Sequence, residues 1–265
     1  MNSVWSEEKI ERQIKKGYGS GTGSEYKPWI HVMEGGSLGV KHRLNGWKTN
    51  RIHQLLSKLE YSTFLALEWC DYVVDIREQY PLERNKTQEI ANRMGVNHSI
   101  YPTTNIPIVM TTDFLITVNE NDKKILKAIS VKPSEELEKP RVLEKLEIEK
   151  QYWSEQGIDW GIVTEKDINK IFTENIVSIH QFNSSALELD HSYIDRITIP
   201  FVKGLTESGS EVTLQEYFDT FERENNLDTG SSISLFRYAV ANKFVKIDMW
   251  QKMRFNKRIS DLILN

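Results

Sequence analysis

The apolar residues change period several times between residues 50 and 164, and the order of those changes restricts the fold more than any other feature of the chain. Residues 50–69 (NRIHQLLSKLEYSTFLALEW) set Ile52, Leu55, Leu56, Leu59, Phe64 and Leu67 at i, i+3, i+4 spacing, which predicts a helix. Residues 72–80 (YVVDIREQY) read as a strand stopped by Pro81, and a looser stretch with several prolines runs to residue 106. Strands at 108–118 and 125–132 follow, joined by the polar turn NENDKK, so they form a hairpin. Pro133 ends the second strand and Ser134 is placed to cap a helix. Pro140 divides that region from a helix at 141–156 that Gly157 terminates. A strand at 159–164 closes the series. Helix, strand, hairpin, helix, strand predicts an α/β mixed sheet flanked by helices, with a last crossover long enough for a parallel connection.

The flanking segments differ in character. Residues 6–16 read as a short amphipathic helix followed by a flexible glycine stretch, GYGSGTGSEYKPW. Beyond residue 168 the pattern becomes short helices with polar loops. TLQEYFDTFERENN, SISLFRYAVANKF and VKIDMWQKMRFNKRI read as helix, helix and basic hairpin, which is the outline of a winged-helix module or equally of a generic helical cap. Two domains are expected, 1–168 and 169–265. A chain of 265 residues with 39% apolar and 10% aromatic content can bury a real core, so general disorder is excluded. No apolar run is long enough to span a membrane, and the polar stretch MNSVWSEEKIERQIKK holds no signal segment, which predicts a cytoplasmic protein. Cys70 is the single cysteine, and the histidines at 31, 42, 53, 98, 180 and 191 lack zinc-type spacing. The phosphate-cradling pattern GxxxxGK[ST] is missing, and the glycines of 17–23, 35, 36 and 39 precede any strong strand. The net charge of −4 gives no overall argument for nucleic acid. Its distribution gives one: residues 1–59 are basic, 60–168 are acidic, and bases with interleaved aromatics gather again in 237–258.

Three residues combine into a chemistry. Glu60 lies four residues after Leu56 and four before Phe64, so in a helix it shares their apolar face. A carboxylate there either reaches water at the margin of the face or is paired or metal-bound. If the hairpin turn centres on Asn121–Asp122, Asp113 falls opposite Ser130, with Lys132 its diagonal neighbour. That pair reads either as a structural ion pair or as half of an active site. With Glu60 it supplies a helix carboxylate, a hairpin carboxylate and a lysine, the set used in metal-dependent phosphodiester cleavage of the PD-(D/E)xK type. Hard oxygen ligands hold Mg²⁺ with its waters, and a lysine places the attacking water and holds the oxyanion. Glu78 reads as a neighbour of the site or, more simply, as a structural partner of Arg77 or another nearby base. His98 reads as a loop histidine or a phosphate contact, and Trp69, Trp153 and Trp160 read as core.

The chain resembles a known family, the TnsA endonuclease subunits of heteromeric Tn-seven-like bacterial transposases. The resemblance runs through YKPW (26–29), LLSKLEYSTFLALEW (55–69), VVDIREQYPLE (73–83), TTDFL (111–115), VKP (131–133), LEKLEIEKQYW (143–153) and TEKDIN (164–169). It implies a restriction-endonuclease-like domain at 1–168 and a winged-helix-like domain for partner or DNA contact at 169–265. It also implies catalytic roles for Glu60, Asp113 and Lys132. Metal would be held by Glu60, Asp113 and the Val131 carbonyl, with Mg²⁺ as cofactor and Mn²⁺ as substitute. The resemblance further implies cleavage of the non-transferred strand at transposon ends, a TnsB-like transposase for the other strand, and a TnsC-like ATP-dependent regulator docked on the C-terminal half. Ser130 departs from the motif, which usually has Gln or Glu two positions before the lysine. A restriction- or repair-type nuclease, and a cleavage-dead adaptor between transposition proteins and DNA, are the other readings.

Overall fold

The computed structural model describes residues 5–32, 40–184 and 191–264, the side chains of 191–195 excepted. The glycines at 35, 36 and 39 lie outside the described residues. The chain divides into two compact units, Met1–Ile168 and Asn169–Asn265.

The first unit opens with helix α1 (Glu7–Lys15), capped by Ser6, whose side chain accepts from the Lys9 amide. The glycine stretch that follows is a built turn rather than a flexible linker. Gly19 holds φ +77°, its amide donates to Lys27 O at 2.6 Å, and a Cβ there would lie 2.1 Å from Pro81 Cγ. Only glycine accommodates both the backbone conformation and that close approach.

A two-stranded antiparallel ribbon comes next, β1 (His42–Asn45) with β2 (Ile52–Leu55). The helix expected from residue 50 therefore begins later, as α2 (Lys58–Trp69). The reason is local. Ser57 accepts from the Glu60 amide while the Glu60 carboxylate accepts from Ser57 Oγ and the Leu56 amide, so a reciprocal cap starts the helix here. The residues before the cap are free to pair as a strand, in which His53, Gln54 and Leu55 are all buried.

The main sheet contains β3 (Val73–Pro81), β4 (Thr111–Glu120), β5 (Lys123–Val131) and β6 (Asp159–Val163) in that spatial order. The first three strands are antiparallel neighbours and β6 runs parallel to β5. In the hairpin, Phe114 pairs with Ile129 and Glu120 with Lys123, the register that a turn at Asn121–Asp122 dictates. Both turn residues adopt positive φ, the geometry of a tight hairpin turn. Helix α3 (Arg84–Met94) occupies the stretch expected to be loose, and α4 (Pro140–Ser154) makes the crossover to β6. Pro140 sits in the first turn of α4, where a missing amide costs nothing. A short 3-10 turn at Ser134–Glu138 precedes it.

The sheet separates two cores. Phe64 of α2 packs with Leu55, Ile76, Phe114, Ile116 and Val131 on one face. Ile148, Tyr152 and Trp153 of α4 pack with Leu115, Ala128, Ile90 and Ala91 on the other. A mixed sheet flanked by helices results, and the C-terminal ends of β5 and β6 meet the N-terminal end of β4 at one edge.

The second unit is helical: α5 (Lys170–Ile179), α6 (His191–Glu207), α7 (Leu214–Glu224) and α8 (Ser231–Ala241). Phe201, Phe218 and Phe236 are fully buried, and each contributes about 2 kcal/mol of hydrophobic stabilisation. Thr213 and Glu216 form a capping box at the start of α7. The basic hairpin expected after α8 is not formed. The segment from 245 to 264 is tied down instead by isolated bridges, Ile247 with Ile263 and Thr213 with Arg258, and by Asn175 Nδ2 donating to Met249 O and Gln251 O. Local alternation is too weak there to form a ladder, and contacts distant in sequence set the path.

Candidate active site

The start of α2 brings Glu60 to the edge where β4 and β5 end. Its carboxylate is buried and accepts from the Leu56 amide at 2.9 Å, Ser57 Oγ at 3.2 Å and Gln79 Nε2 at 3.1 Å. Burial first, and the charge of Asp113 second, push the Glu60 carboxyl up to about 7. Two carboxylates sharing one pocket raise the proton affinity of at least one of them.

Asp113 precedes the last hairpin pair. Its Oδ2 accepts from the Val131 amide at 2.6 Å and from Lys132 Nζ at 2.8 Å. Lys132 Nζ also donates to Val131 O at 2.9 Å. Burial disfavours the Lys132 charge, but the charge and hydrogen bond of Asp113, with Glu149 and Glu60 beyond, outweigh it and raise its proton affinity. Glu60, Asp113, Val131 and Lys132 thus stand in one electrostatic group at one end of the sheet.

Ser130 is turned elsewhere. It is fully buried, and its Oγ donates to Glu149 Oε1 at 2.6 Å rather than facing Asp113. Thr112 Oγ1 at 2.7 Å and Trp160 Nε1 at 3.1 Å donate to the same oxygen, and Trp153 Nε1 supports Thr112 at 2.7 Å. Burial, then the charge of Asp113, push the Glu149 carboxyl up to about 7. A cleft of about 450 Å³ is lined by Asp113, Lys132 and Glu149 together.

Glu149 was missed by sequence reasoning although a signal existed. It follows Leu146 by three residues and precedes Tyr152 by three, so it is a carboxylate on the buried stripe of α4, as Glu60 is on α2. Gln79 carried no such signal. Its side chain donates to Glu60, and its backbone adopts φ +50°, a conformation costly for a residue with a side chain.

Glu78 is fully buried but belongs to a different group. Arg51 grips it with Nη1 at 2.8 Å and Nη2 at 2.6 Å, His53 Nδ1 lies 2.7 Å away, and the Gln54 amide donates at 2.9 Å. Arg77 pairs with Asp75 instead, at 3.2 Å. His98 bridges Thr87 Oγ1 at 3.0 Å and Ser99 O at 2.9 Å, a structural link away from the carboxylates. Trp153 is core, while Trp160, beside Glu149, and Trp69 are both half-buried.

The donor set suits a hard divalent cation. Among the described residues no group of three or more His, Cys, Asp or Glu side chains is assembled as a metal cage. Glu60, Asp113 and the Val131 carbonyl offer two carboxylates and a carbonyl, and Mg²⁺ commonly takes one or two carboxylates and completes its shell with waters. The ammonium of Lys132 bridges Asp113 Oδ2 and Val131 O, so these oxygens already attract positive charge.

Placing Ser130 in the α4 pocket changes what its substitution does. Ser130→Glu is expected to lower stability by ~3 kcal/mol or more, because it forces a second carboxylate into the buried pocket of Glu149. Urea unfolding checks this. Unchanged stability, together with tighter Mg²⁺ binding by calorimetry, would instead place the side chain at position 130 at the metal.

A mixed sheet flanked by helices, with two carboxylates and a lysine at one end, fits an endonuclease fold. Residues 70–165 match the family profile "TnsA-like endonuclease N terminal", and residues 167–249 match "TnsA endonuclease C terminal". Over 256 residues the chain is 38% identical to the Transposon Tn7 transposition protein TnsA of Escherichia coli, covering 97% of this chain and 91% of that protein. The chain belongs to the TnsA family: it is an endonuclease subunit of a transposase. Among the described residues no helix is long and apolar enough to cross a membrane.

Proposed function

We propose that the chain cuts the non-transferred (5′) strand at the ends of its transposon, with Glu60, Asp113 and Lys132 as the catalytic residues and Mg²⁺ as the metal, for which Mn²⁺ substitutes. The observation that carries this reading is the junction of Lys132 Nζ with Asp113 Oδ2 and Val131 O beside the buried Glu60. A cation held by Glu60, Asp113 and Val131 O would supply an activated water and charge neutralisation on the phosphate. The protein's own groups do the rest. Lys132 uses two of its three N–H donors on Asp113 and Val131, which leaves one for a phosphate oxygen or the attacking water. Gln79, Ser57 and the Leu56 amide fix the Glu60 carboxylate in one orientation, so no reorganisation is needed as charge develops.

The second unit is read as a winged-helix-like module for partner and DNA contact. In this reading α7 and α8 would be the helix pair, and the segment after α8, with Lys252, Arg254 and Lys257, would serve as the wing. A TnsB-like transposase would cut the other strand, and a TnsC-like ATP-dependent regulator would dock on this unit. The retained Glu60, Asp113 and Lys132 argue against a cleavage-dead adaptor.

Strand-specific end-labelling tests the reading. With its transposition partners and Mg²⁺ or Mn²⁺, the chain is expected to nick the 5′ strand at the element's own ends, and EDTA is expected to stop it. Nicking of the other strand, or cutting that persists in EDTA, would overturn it.

A further inference from the structure

One wall of the catalytic cleft has no role in the chemistry described so far. Trp5, Trp29 and Tyr101 line it together with Asp113, Lys132 and Glu149. The three rings form a stack: Trp5 lies 5.2 Å from Tyr101 at an interplanar angle of 10°, and 5.9 Å from Trp29 at 23°. Lys9 Nζ sits 4.3 Å from the centre of the Trp5 ring, so a cation already reinforces the stack. Trp29 is almost fully buried, yet its indole N–H has no acceptor among the described residues.

The chemistry of the wall selects its occupant. The charged residues of the cleft are Asp113, Glu136 and Glu149 against Lys132 and Lys145, so the cleft as a whole does not attract a phosphate backbone. Phosphate has a place at its two lysines, of which Lys132 is the one beside Asp113. Flat rings in parallel suit a flat heteroaromatic group. In DNA with its phosphate at Lys132, that group is a base next to the cut.

We propose that the Trp29–Trp5–Tyr101 stack receives a nucleobase unstacked from the duplex beside the scissile phosphate. The proposal rests on the cleavage reading above. Unstacking a base costs free energy, which stacking on an aromatic side chain offsets. A base held on the stack would draw its neighbouring phosphate toward Asp113 and Lys132 and bend the strand out of the helix at the point of cleavage. Trp5, Trp29 and Tyr101 are therefore positioning residues.

A protein–base double-mutant cycle tests this. Binding of the full chain to duplexes carrying the element's terminal sequence is measured in EDTA, so that cleavage plays no part. The nucleotides flanking the scissile phosphate are replaced one at a time by an abasic analogue. On one of these abasic duplexes the unstacking cost and the stacking gain disappear together, so the readout there is the loss caused by a ring substitution relative to its loss on intact DNA. Trp5→Ala and Tyr101→Leu are expected to lose about tenfold on intact DNA and nothing further on that abasic duplex. Trp5→Phe keeps a ring and is expected to keep the dependence on the base, and where Trp5→Ala folds poorly the cycle is carried by Tyr101→Leu and Trp5→Phe. If the ring variants lose as much on every abasic duplex as on intact DNA, or if the wild-type chain binds none of the duplexes, the proposal fails. Should Asp113→Asn cut at the wild-type rate, the catalytic reading fails, while the cycle still reports on the rings.

Discussion

Asp113→Asn is expected to reduce strand nicking by about a thousandfold or more while leaving the fold intact, because it removes one charge shared by the lysine and the expected metal. The substitution conserves shape, and an amide oxygen can still accept from the Val131 amide, so the hairpin end keeps its hydrogen bond. Lys132 keeps Val131 O as a partner. Glu60→Gln should fall by a similar factor, and the double variant should be scarcely worse than either single one, since residues that act as a unit give non-additive losses. Quenched-flow or end-point nicking with the assembled transposase, paired with thermal melts, measures both quantities. Wild-type nicking by Asp113→Asn in Mg²⁺ would remove Asp113 from the chemistry.

Much of this centre was legible because its parts obey local rules. The register of β4 against β5 follows from the position of the turn, and every pair from Phe114–Ile129 to Glu120–Lys123 keeps it. Carboxylates on apolar stripes are expensive, so Glu60 could be singled out before its partners were known. The same argument applied to α4 leads to Glu149, a carboxylate on the buried stripe of that helix. Ser130 shows the limit of the method. Extending the hairpin register by one pair sets it opposite Asp113, but its hydroxyl bonds to a carboxylate from α4, and alternation cannot anticipate a partner from another layer.

Other features depended on contacts far apart in sequence. Residues 52–55 satisfy helical spacing as well as strand pairing, and the choice is made by the β1 partner and by the Ser57–Glu60 cap, whose S-x-x-E signature lies in the sequence. Helix α3 is polar apart from a narrow buried stripe at Thr87, Ile90 and Ala91, too thin to register as amphipathic. The segment after α8 has basic and aromatic residues without clean alternation, and its path follows from Asn175 and from bridges to residues 213 and 263.

The largest expected effect on stability comes from outside the catalytic group. Glu78 is a fully buried carboxylate held by Arg51, His53 and the Gln54 amide, and it ties β2 and the turn before it to β3. Burial alone would push its carboxyl up, but His53 and Arg51 outweigh that and hold it at about 2. A carboxyl with lowered proton affinity stabilises the fold above its ordinary value near 4.5, and that contribution is lost as the pH falls from there toward 2. The loss amounts to about 3 kcal/mol over that window, at 1.36 kcal/mol per unit. Arg51→Ala is expected to cost about 3–5 kcal/mol at pH 7, because it strands a buried charge. Arg51→Ala combined with Glu78→Gln should recover part of this, since no unpaired ion remains. Urea unfolding at pH 7 and pH 3 measures each term. If Arg51→Ala unfolds at the wild-type midpoint, or if wild-type stability does not fall between these pH values, the Arg51–Glu78 pair is not what holds the ribbon to the sheet. The position of α2, and with it Glu60, would then need another support.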